Sequence, residues 1–241
     1  LSYNNTERQD PKEIASIFNT YYTNIAENII NSDLKSNNIS KHHMPNSKFP
    51  NSMFLVPTND VEILGIIRGL TNKKSCGIDE ISDYLIKKCG QNLTKPLTYI
   101  INLSLSTGSF PDNLKIAKVR SLHKKSLETE IVNYRPVSLL SVFLKILEKI
   151  MLKRLISSLN EHKIITASQH GFCRGKSTNT AIIDFIKDVY NSVDKKETSI
   201  GLFLDLSKAF DLVNHGILLS KLDNIGIRGV AKEWFQSYLT L

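Results

Sequence analysis

Apolar positions recur at helical spacing in several parts of the chain, and these repeats predict most of its helices. Residues 11–31 carry such an apolar face behind Asp10 and Pro11, a capping residue followed by proline at the first helical position. The same spacing predicts further helices near residues 58–72, 82–90, 93–106 and 139–159, and one more that begins close to Ser177.

Two other segments have the pattern of strands. KIAKVRSLHKK, residues 115–125, alternates weakly, as a half-exposed strand does, and IGLFLDL, residues 200–206, is a continuous apolar run typical of a buried strand. Residues 32–52 are rich in Ser, Asn, Lys and His without periodicity, which predicts a linker and a boundary near residue 55. The order of helices and strands predicts an α+β fold.

The composition indicates an ordinary globular protein with a basic balance. Hydrophobic residues make up 41% and charged residues 22% of the 241 positions, and the formal net charge is +8. This charge favours a polyanionic partner such as nucleic acid, although a general bias toward Lys, Asn and Ile could supply part of it. The three cysteines have no ligand or disulfide spacing.

The ends of the chain and its apolar runs bear on its setting. No apolar run reaches membrane-spanning length and no signal segment opens the sequence, so we expect a soluble intracellular protein without membrane contact. The chain begins at Leu1 rather than Met and stops at Leu241, directly after a helical pattern. We therefore expect it to be a fragment of a longer protein.

The segment QHGFCRGKST, residues 169–178, is close to a phosphate-binding loop without matching one. A Walker loop has four residues between its first glycine and Gly-Lys-Ser/Thr, and only three stand here. A helix and a polar stretch also precede it, where that loop requires a strand. Arg174 and Lys176 nevertheless lie before a helix that Ser177 or Thr178 can cap, so they are candidate sugar-phosphate contacts; the alternative is a turn with solvated cations.

Asp205 stands at the end of the apolar run 200–206. An unpaired charge there is costly unless a cation or hydrogen bonds compensate it, and strand ends are a common place for metal-bound phosphate chemistry. One aspartate cannot hold two ions. The alternative is that Asp205 caps the turn at Ser207.

Arg135 precedes Pro136, which restricts the arginine to an extended conformation. A guanidinium is well matched to phosphate oxygens. Lys124 and Lys125 end the preceding predicted strand, so the three cations can share one surface across a turn. The alternative is a surface arginine beside a turn.

Taken in order, seven segments resemble the reverse transcriptase domain of non-LTR (LINE-type, jockey-like) retrotransposons. They are IASIFNTYYTNIAENI, SCGID, GSFPDNLKIAKV, HKKS, NYRPVSLLSVFLKILEKIMLKRL, QHGFCRGKSTNTA and FLDLSKAFDLVNHGILLSKL. The resemblance covers most of the chain and implies an incomplete right-hand polymerase. Residues 58–199 would form the fingers and the first part of the palm, residues 200–241 the start of the catalytic palm, and residues 1–57 a helical connector with a flexible linker.

The resemblance also implies the sites of an RNA-directed DNA polymerase. Such an enzyme extends a DNA primer on an RNA template from deoxynucleoside triphosphates, with two Mg²⁺ ions. The implied metal ligands are Asp205, which is also the catalytic aspartate, and the backbone of Leu206; the implied nucleotide-binding residues are Arg135, Lys124, Lys125 and Phe210, which screens the sugar 2′ position; the implied template contacts are Arg174 and Lys176. Carboxylates for the metal and cations for the phosphates are the residue types that phosphoryl transfer needs.

The chain departs from the family pattern at several positions. Cys173 stands where the family usually has Arg, Glu80 where it usually has Gly, and Leu114 where it often has Trp. The family's paired aspartates, usually in a Tyr-Ala-Asp-Asp turn, do not occur in the sequence, so we expect this chain alone not to polymerise DNA. The alternative function is a non-catalytic nucleic-acid-binding remnant of a decayed element.

Overall fold

A computed structural model describes residues 1–3, 6–34, 49–124, 126–206 and 208–240. Its helices are α1 (Pro11–Leu34), α2 (Asp60–Arg68), α3 (Asp83–Thr107), α4 (Val142–Glu161), α5 (Thr178–Asp194), α6 (His215–Asn224) and α7 (Val230–Leu239). Its strands are β1 (Ser2–Tyr3), β2 (Thr6–Glu7), β3 (Lys118–His123) and β4 (Tyr134–Leu139), which form two antiparallel pairs, β1–β2 and β3–β4. The mixed helix and strand content confirms that part of the predicted fold class.

Most of the predicted elements are present. The structure confirms helices at α1, α2, α4 and α5 and a strand at β3, because the apolar spacing that produces each of them is local. Side chains cap the helices as their sequence suggests: Asn59 accepts from the Glu62 amide at 2.9 Å, and Ser177 caps α5. The predicted linker 32–52 falls largely on residues 35–48, which lie outside the described residues.

The prediction of two helices between residues 82 and 106 is wrong, because α3 runs unbroken through that region and contains Pro96. Gly90, which ended the first predicted helix, instead lies against α2. A Cβ atom placed on Gly90 would lie 2.8 Å from Cγ2 of Ile67, which is fully buried. The glycine therefore lets α2 and α3 approach closely, and this packing compensates for its low helix propensity.

The chain divides into two compact units, residues 1–154 with 210–241, and residues 155–209. An aromatic cluster lies at the centre of the first. Trp234 of α7 is 1% exposed, packs edge-to-face on Phe110 with ring centroids 5.3 Å apart, and donates from Nε1 to Oγ of Ser104 at 3.0 Å. Burial and the hydrogen bond to Glu148 raise the pKa of Tyr238, which stacks on Trp234. These contacts hold α7 against α3.

In the first unit α1 lies across one face of the β3–β4 hairpin. The ring of Phe18 contacts that of Tyr134 edge-on at 5.0 Å, and Tyr22 of α1 and Ser121 of β3 line a common cleft of about 640 Å³. Burial raises the pKa of Tyr22. One face of the hairpin is thus turned toward a helix.

The second unit consists of the end of α4, a series of turns, α5 and the segment that follows it. Ser177 and Thr180 form a capping box at the start of α5. None of the described helices has the length and apolar character needed to cross a membrane.

Candidate nucleic-acid interface

The β3–β4 hairpin positions the predicted phosphate-binding cations. Its strands pair antiparallel from Lys118 opposite Leu139 to His123 opposite Tyr134, which sets Arg135 opposite Leu122. The backbone N–H of Lys124 donates to the carbonyl of Asn133 at 2.9 Å and so extends the ladder by one bond. Pro136 lies in β4, as the extended conformation predicted for Arg135 requires.

The structure thus brings Arg135 and Lys124 to the same end of the hairpin, and both side chains are exposed. Lys125, the third cation predicted for this surface, lies outside the described residues. The register places the first two residues at one end of the hairpin. Their role in binding a triphosphate stays a prediction.

A half-buried contact that the sequence did not reveal attaches this hairpin to the rest of the first unit. Oγ of Ser141, directly before α4, donates to Oδ2 of Asp79 at 2.6 Å, and a Cβ atom on Gly77 would lie 2.8 Å from the backbone nitrogen of Ser141. We call Gly77, Asp79 and Ser141 the latch. Because β4 ends two residues before Ser141, the latch fixes where the hairpin leaves the helical core. The only signal for it was the SCGID match, which carried no assigned role.

A second bond strengthens the same junction. Lys145 in the first turn of α4 donates to Oδ1 of Asp83 at 2.9 Å, and Thr71 donates to Oδ2 of that carboxylate at 2.9 Å. Asp83 is buried, so its charge needs these partners. Glu80, between the two contacts, has φ of +56°, a left-handed conformation that glycine adopts with less strain than other residues.

Arg154 of α4 forms an ion pair with Glu62 of α2. Its NH2 group lies 2.5 Å from Oε2 and its NH1 group 2.8 Å from Oε1, and its Nε donates to the carbonyl of Val56 at 2.9 Å. The hydrogen bonds from Arg154 lower the pKa of Glu62 to about 2, with burial opposing them. Since both side chains are largely buried, this arginine is structural and not a free phosphate contact.

The loop 169–176 places its two predicted template contacts differently. Arg174 is exposed, whereas Lys176 is half-buried and its ammonium donates to the carbonyl of Ala167. At the helix start the amides of Ser177 and Thr180 bond to each other's hydroxyl oxygens, so these two amides are already paired within the chain. Arg174 is therefore the better placed of the two cations for an external phosphate.

His170 stabilises this loop, a role that no motif or spacing in the chain indicated. Its Nδ1 lies 2.9 Å from Oγ1 of Thr180, and its Nε2 lies 3.3 Å from Oδ2 of Asp184. Both partners belong to the first turns of α5. The histidine thus ties the loop that carries Arg174 to a helix, and no strand precedes that loop as a Walker site would require.

The prediction of a buried strand at 200–206 is wrong. The structure assigns no strand anywhere in residues 197–206, and Ile200 and Leu204 are 92% and 84% exposed. A strand needs neighbours for its backbone hydrogen bonds, and apolar side chains alone do not supply them. Phe203 makes a contact within this unit, edge-on with Phe185 of α5 at 5.4 Å.

Asp205 accordingly lies on an exposed segment without regular secondary structure and not at the end of a strand. The side chains of Leu206 and Phe210 are exposed as well, and Ser207, the alternative turn partner of Asp205, lies outside the described residues. The roles of Asp205, Leu206 and Phe210 stay predictions.

The described residues do not form a Mg²⁺ site by themselves. No group of three or more His, Cys, Asp or Glu side chains in the described ranges could hold a metal ion. Asp205 supplies one carboxylate, whereas a pair of ions bound in the manner of nucleic-acid polymerases needs more oxygen ligands than one residue offers. The two-ion arrangement does not fit the residues described.

Comparison with known proteins identifies the family. Residues 122–241 match the model of the reverse transcriptase (RNA-dependent DNA polymerase) family. Over 175 residues the chain is 33% identical to the probable RNA-directed DNA polymerase from transposon BS of Drosophila melanogaster, a match that covers 72% of this chain and 19% of that protein.

Two further relatives agree. The RNA-directed DNA polymerase from mobile element jockey of Drosophila melanogaster is 32% identical over 73% of this chain and 19% of its own length. The probable RNA-directed DNA polymerase from transposon X-element is 29% identical over 68% and 18%. The chain spans about a fifth of the length of these relatives. The chain therefore belongs to the reverse transcriptase (RNA-dependent DNA polymerase) family and is similar to the polymerases of jockey-like, non-LTR retrotransposons.

Proposed function

We propose that this chain is part of an RNA-directed DNA polymerase of a transposable element. In this proposal residues 58–199 form the fingers and the first part of the palm, residues 200–241 begin the palm, and residues 1–57 connect them to whatever precedes. The observation that carries the proposal is the β3–β4 hairpin, which has Arg135 and Lys124, both exposed, at one end.

The hairpin suits the binding of an incoming deoxynucleoside triphosphate. A guanidinium and an ammonium at one end of the hairpin can neutralise and align the phosphates. Catalysis of phosphoryl transfer consists mainly of such alignment and charge neutralisation. The latch supports this role because it fixes the start of α4 directly behind β4. Phe210 would limit the space at the sugar 2′ position, and Asp205 would supply one carboxylate of the catalytic centre.

The loop 169–176 suits the RNA template. Arg174 is exposed at the start of α5, and His170 holds the loop to that helix through Thr180 and Asp184. An arginine contact of this kind to a phosphate positions a strand without selecting its sequence. Lys176 would contribute its charge while its ammonium stays bonded to the loop.

The decisive experiment is primer extension on an RNA template by a protein that carries this segment within a complete polymerase. Asp205→Ala should reduce extension by about a thousandfold or more, since the loss of a metal-binding or charge-aligning carboxylate removes several kcal/mol of transition-state stabilisation. Asp194→Ala, an exposed aspartate at the end of α5, is the matched control and should keep full activity. Full activity in Asp205→Ala would remove this residue from the centre.

A non-catalytic function in nucleic-acid binding is the second candidate. The net charge of +8 and the absence of a metal-binding cluster among the described residues favour it. It predicts salt-dependent RNA binding by this chain together with no extension even in the longer protein. Extension that depends on Asp205 would exclude it.

A further inference from the structure

The face of the β3–β4 hairpin that points away from α1 has a composition of its own. Side chains alternate along a strand, and residues directly opposite in an antiparallel pair share a face. The pairs Lys118–Leu139, Arg120–Val137 and Leu122–Arg135 therefore lie together. We call these six residues the outer face. Ser121 and Tyr134, on the other face, are the residues that lie against α1.

The outer face is basic and open. Lys118, Arg120 and Arg135 are all exposed, and none of them has an ion pair or hydrogen bond from its side chain within the described part of the chain. No acidic residue occupies any of the six positions. Leu122 and Val137 stand between the cations and are 49% and 37% exposed. Three like charges on one small face are destabilising unless an anion compensates them.

The row of cations on the outer face, Lys118, Arg120 and Arg135, is longer than one triphosphate needs for its phosphate contacts. Lys118 lies four positions before Leu122 on β3, and Leu122 is opposite Arg135. At the usual rise of a strand, the distance from Lys118 to Leu122 is about 13 Å. A nucleotide held at the Arg135 and Lys124 end leaves Lys118, at the far end of the row, without a phosphate, and Arg120 stands between the two ends. The apolar members are aliphatic and offer no ring on which a base can stack. The ligand that fits is a line of phosphates.

We propose that Lys118 and Arg120 bind the sugar-phosphate backbone of a single nucleic-acid strand, along the outer face and beyond the nucleotide contact at Arg135. The inference rests on the proposed function, because a polymerase that copies RNA handles its template as a single strand. The contact is independent of sequence, since it is made to phosphates and not to base edges.

The test measures binding of a fluorescently labelled oligouridylate to this chain by anisotropy across a range of salt concentrations. Lys118→Gln with Arg120→Gln should weaken binding about tenfold at low salt and reduce the slope of log K against log salt by about 1.4, at about 0.7 per backbone contact on a single strand. Lys73→Gln with Lys74→Gln removes the same charge from two exposed lysines elsewhere in the first unit and should leave the slope unchanged.

Arg174→Gln separates this inference from the proposed function. If Arg174→Gln weakens RNA binding while the outer-face variant behaves like the lysine control, the inference is overturned and the template role of the loop stands. If only the outer-face variant loses affinity, the inference holds and the loop contact fails. Absence of RNA binding by the unaltered chain, or tighter binding of a duplex of equal charge, would overturn the outer-face proposal.

A labelled deoxynucleoside triphosphate completes the design. The outer-face variant should bind it as the unaltered chain does, and a loss confined to the nucleotide would assign the face to the triphosphate instead. Circular dichroism checks that each variant is folded. We expect no change, since all the substituted side chains are exposed.

Discussion

The loop that carries SCGID and the segment that carries Asp205 are both motif segments, yet they are built in opposite ways. In the loop, Asp79 bonds Ser141 and Gly77 lies against the backbone of the same residue. In residues 197–206 no strand forms and Ile200, Leu204 and Phe203 are largely exposed. Motif residues that position other elements are held by packing within the chain, whereas the apolar run has no paired strand to hold it.

The largest expected difference in the free energy of unfolding is between a buried aromatic side chain of the first unit and an exposed one in the segment 197–206. Trp234→Ala should lower the free energy of unfolding by about 3–5 kcal/mol, because it empties the centre of the aromatic cluster and leaves Ser104 without its donor. Phe203→Ala should cost about 1 kcal/mol, the value of its ring contact with Phe185. Urea denaturation measures both, and equal costs would break the comparison.

The Glu62–Arg154 pair should come next. Arg154→Ala leaves a largely buried carboxylate without its main partner and should cost about 3 kcal/mol. Arg174→Ala, an exposed arginine, should change the free energy of unfolding by less than about 0.5 kcal/mol.

The same pair predicts a pH dependence. The pKa of Glu62 is about 2 in the fold against 4.5 ordinarily, so its stabilising contribution is complete above about pH 4.5 and is lost as the pH falls toward 2. Unfolding curves at falling pH should show a loss of about 2 kcal/mol from this group. Glu62→Gln should lack that part of the acid sensitivity, and an unchanged pH profile would contradict the assignment.

The latch should have a smaller but distinct effect. Asp79→Ala should cost about 2 kcal/mol because it leaves the buried Ser141 hydroxyl without an acceptor, and Asp79→Asn should restore part of it. Asp205→Ala should leave stability unchanged within about 0.5 kcal/mol. A double-mutant cycle with Ser141→Ala isolates the Asp79–Ser141 bond, and additive costs would show that the two side chains do not interact.

The smallest expected effect is an increase in the free energy of unfolding. Glu80→Gly should stabilise the chain by about 0.5–1 kcal/mol, because it relieves the left-handed conformation at φ +56° at the expense of some unfolded-state entropy. Thermal unfolding measures it. Glu128→Gly, at an exposed residue outside the set with positive φ, is the control and should give no such gain.

Much of the fold and part of the candidate site could be predicted from sequence. The helices α1, α2, α4 and α5 follow from local apolar spacing, and the shared end of the hairpin at Arg135 and Lys124 follows from alternation and Pro136. The continuous α3 could not be predicted, because Gly90 acts through a contact with Ile67 and not through its own propensity. The latch joins positions 62 residues apart, which no local pattern records.

The family, helices α1, α2, α4 and α5, and the residue types suited to phosphate chemistry could all be predicted from the chain alone, because ordered motifs and apolar periodicity are local features of a sequence. Which charged side chains have partners and which are exposed became clear from the folded chain. Arg154 is paired with Glu62, and Lys176 donates to a backbone carbonyl. Arg120, Arg135 and Arg174 are exposed. Neighbours that are distant in sequence determine whether a cation is buried in a pair or exposed to an external phosphate. Strand pairing depends on such neighbours too, and for that reason the run 200–206 does not form a strand.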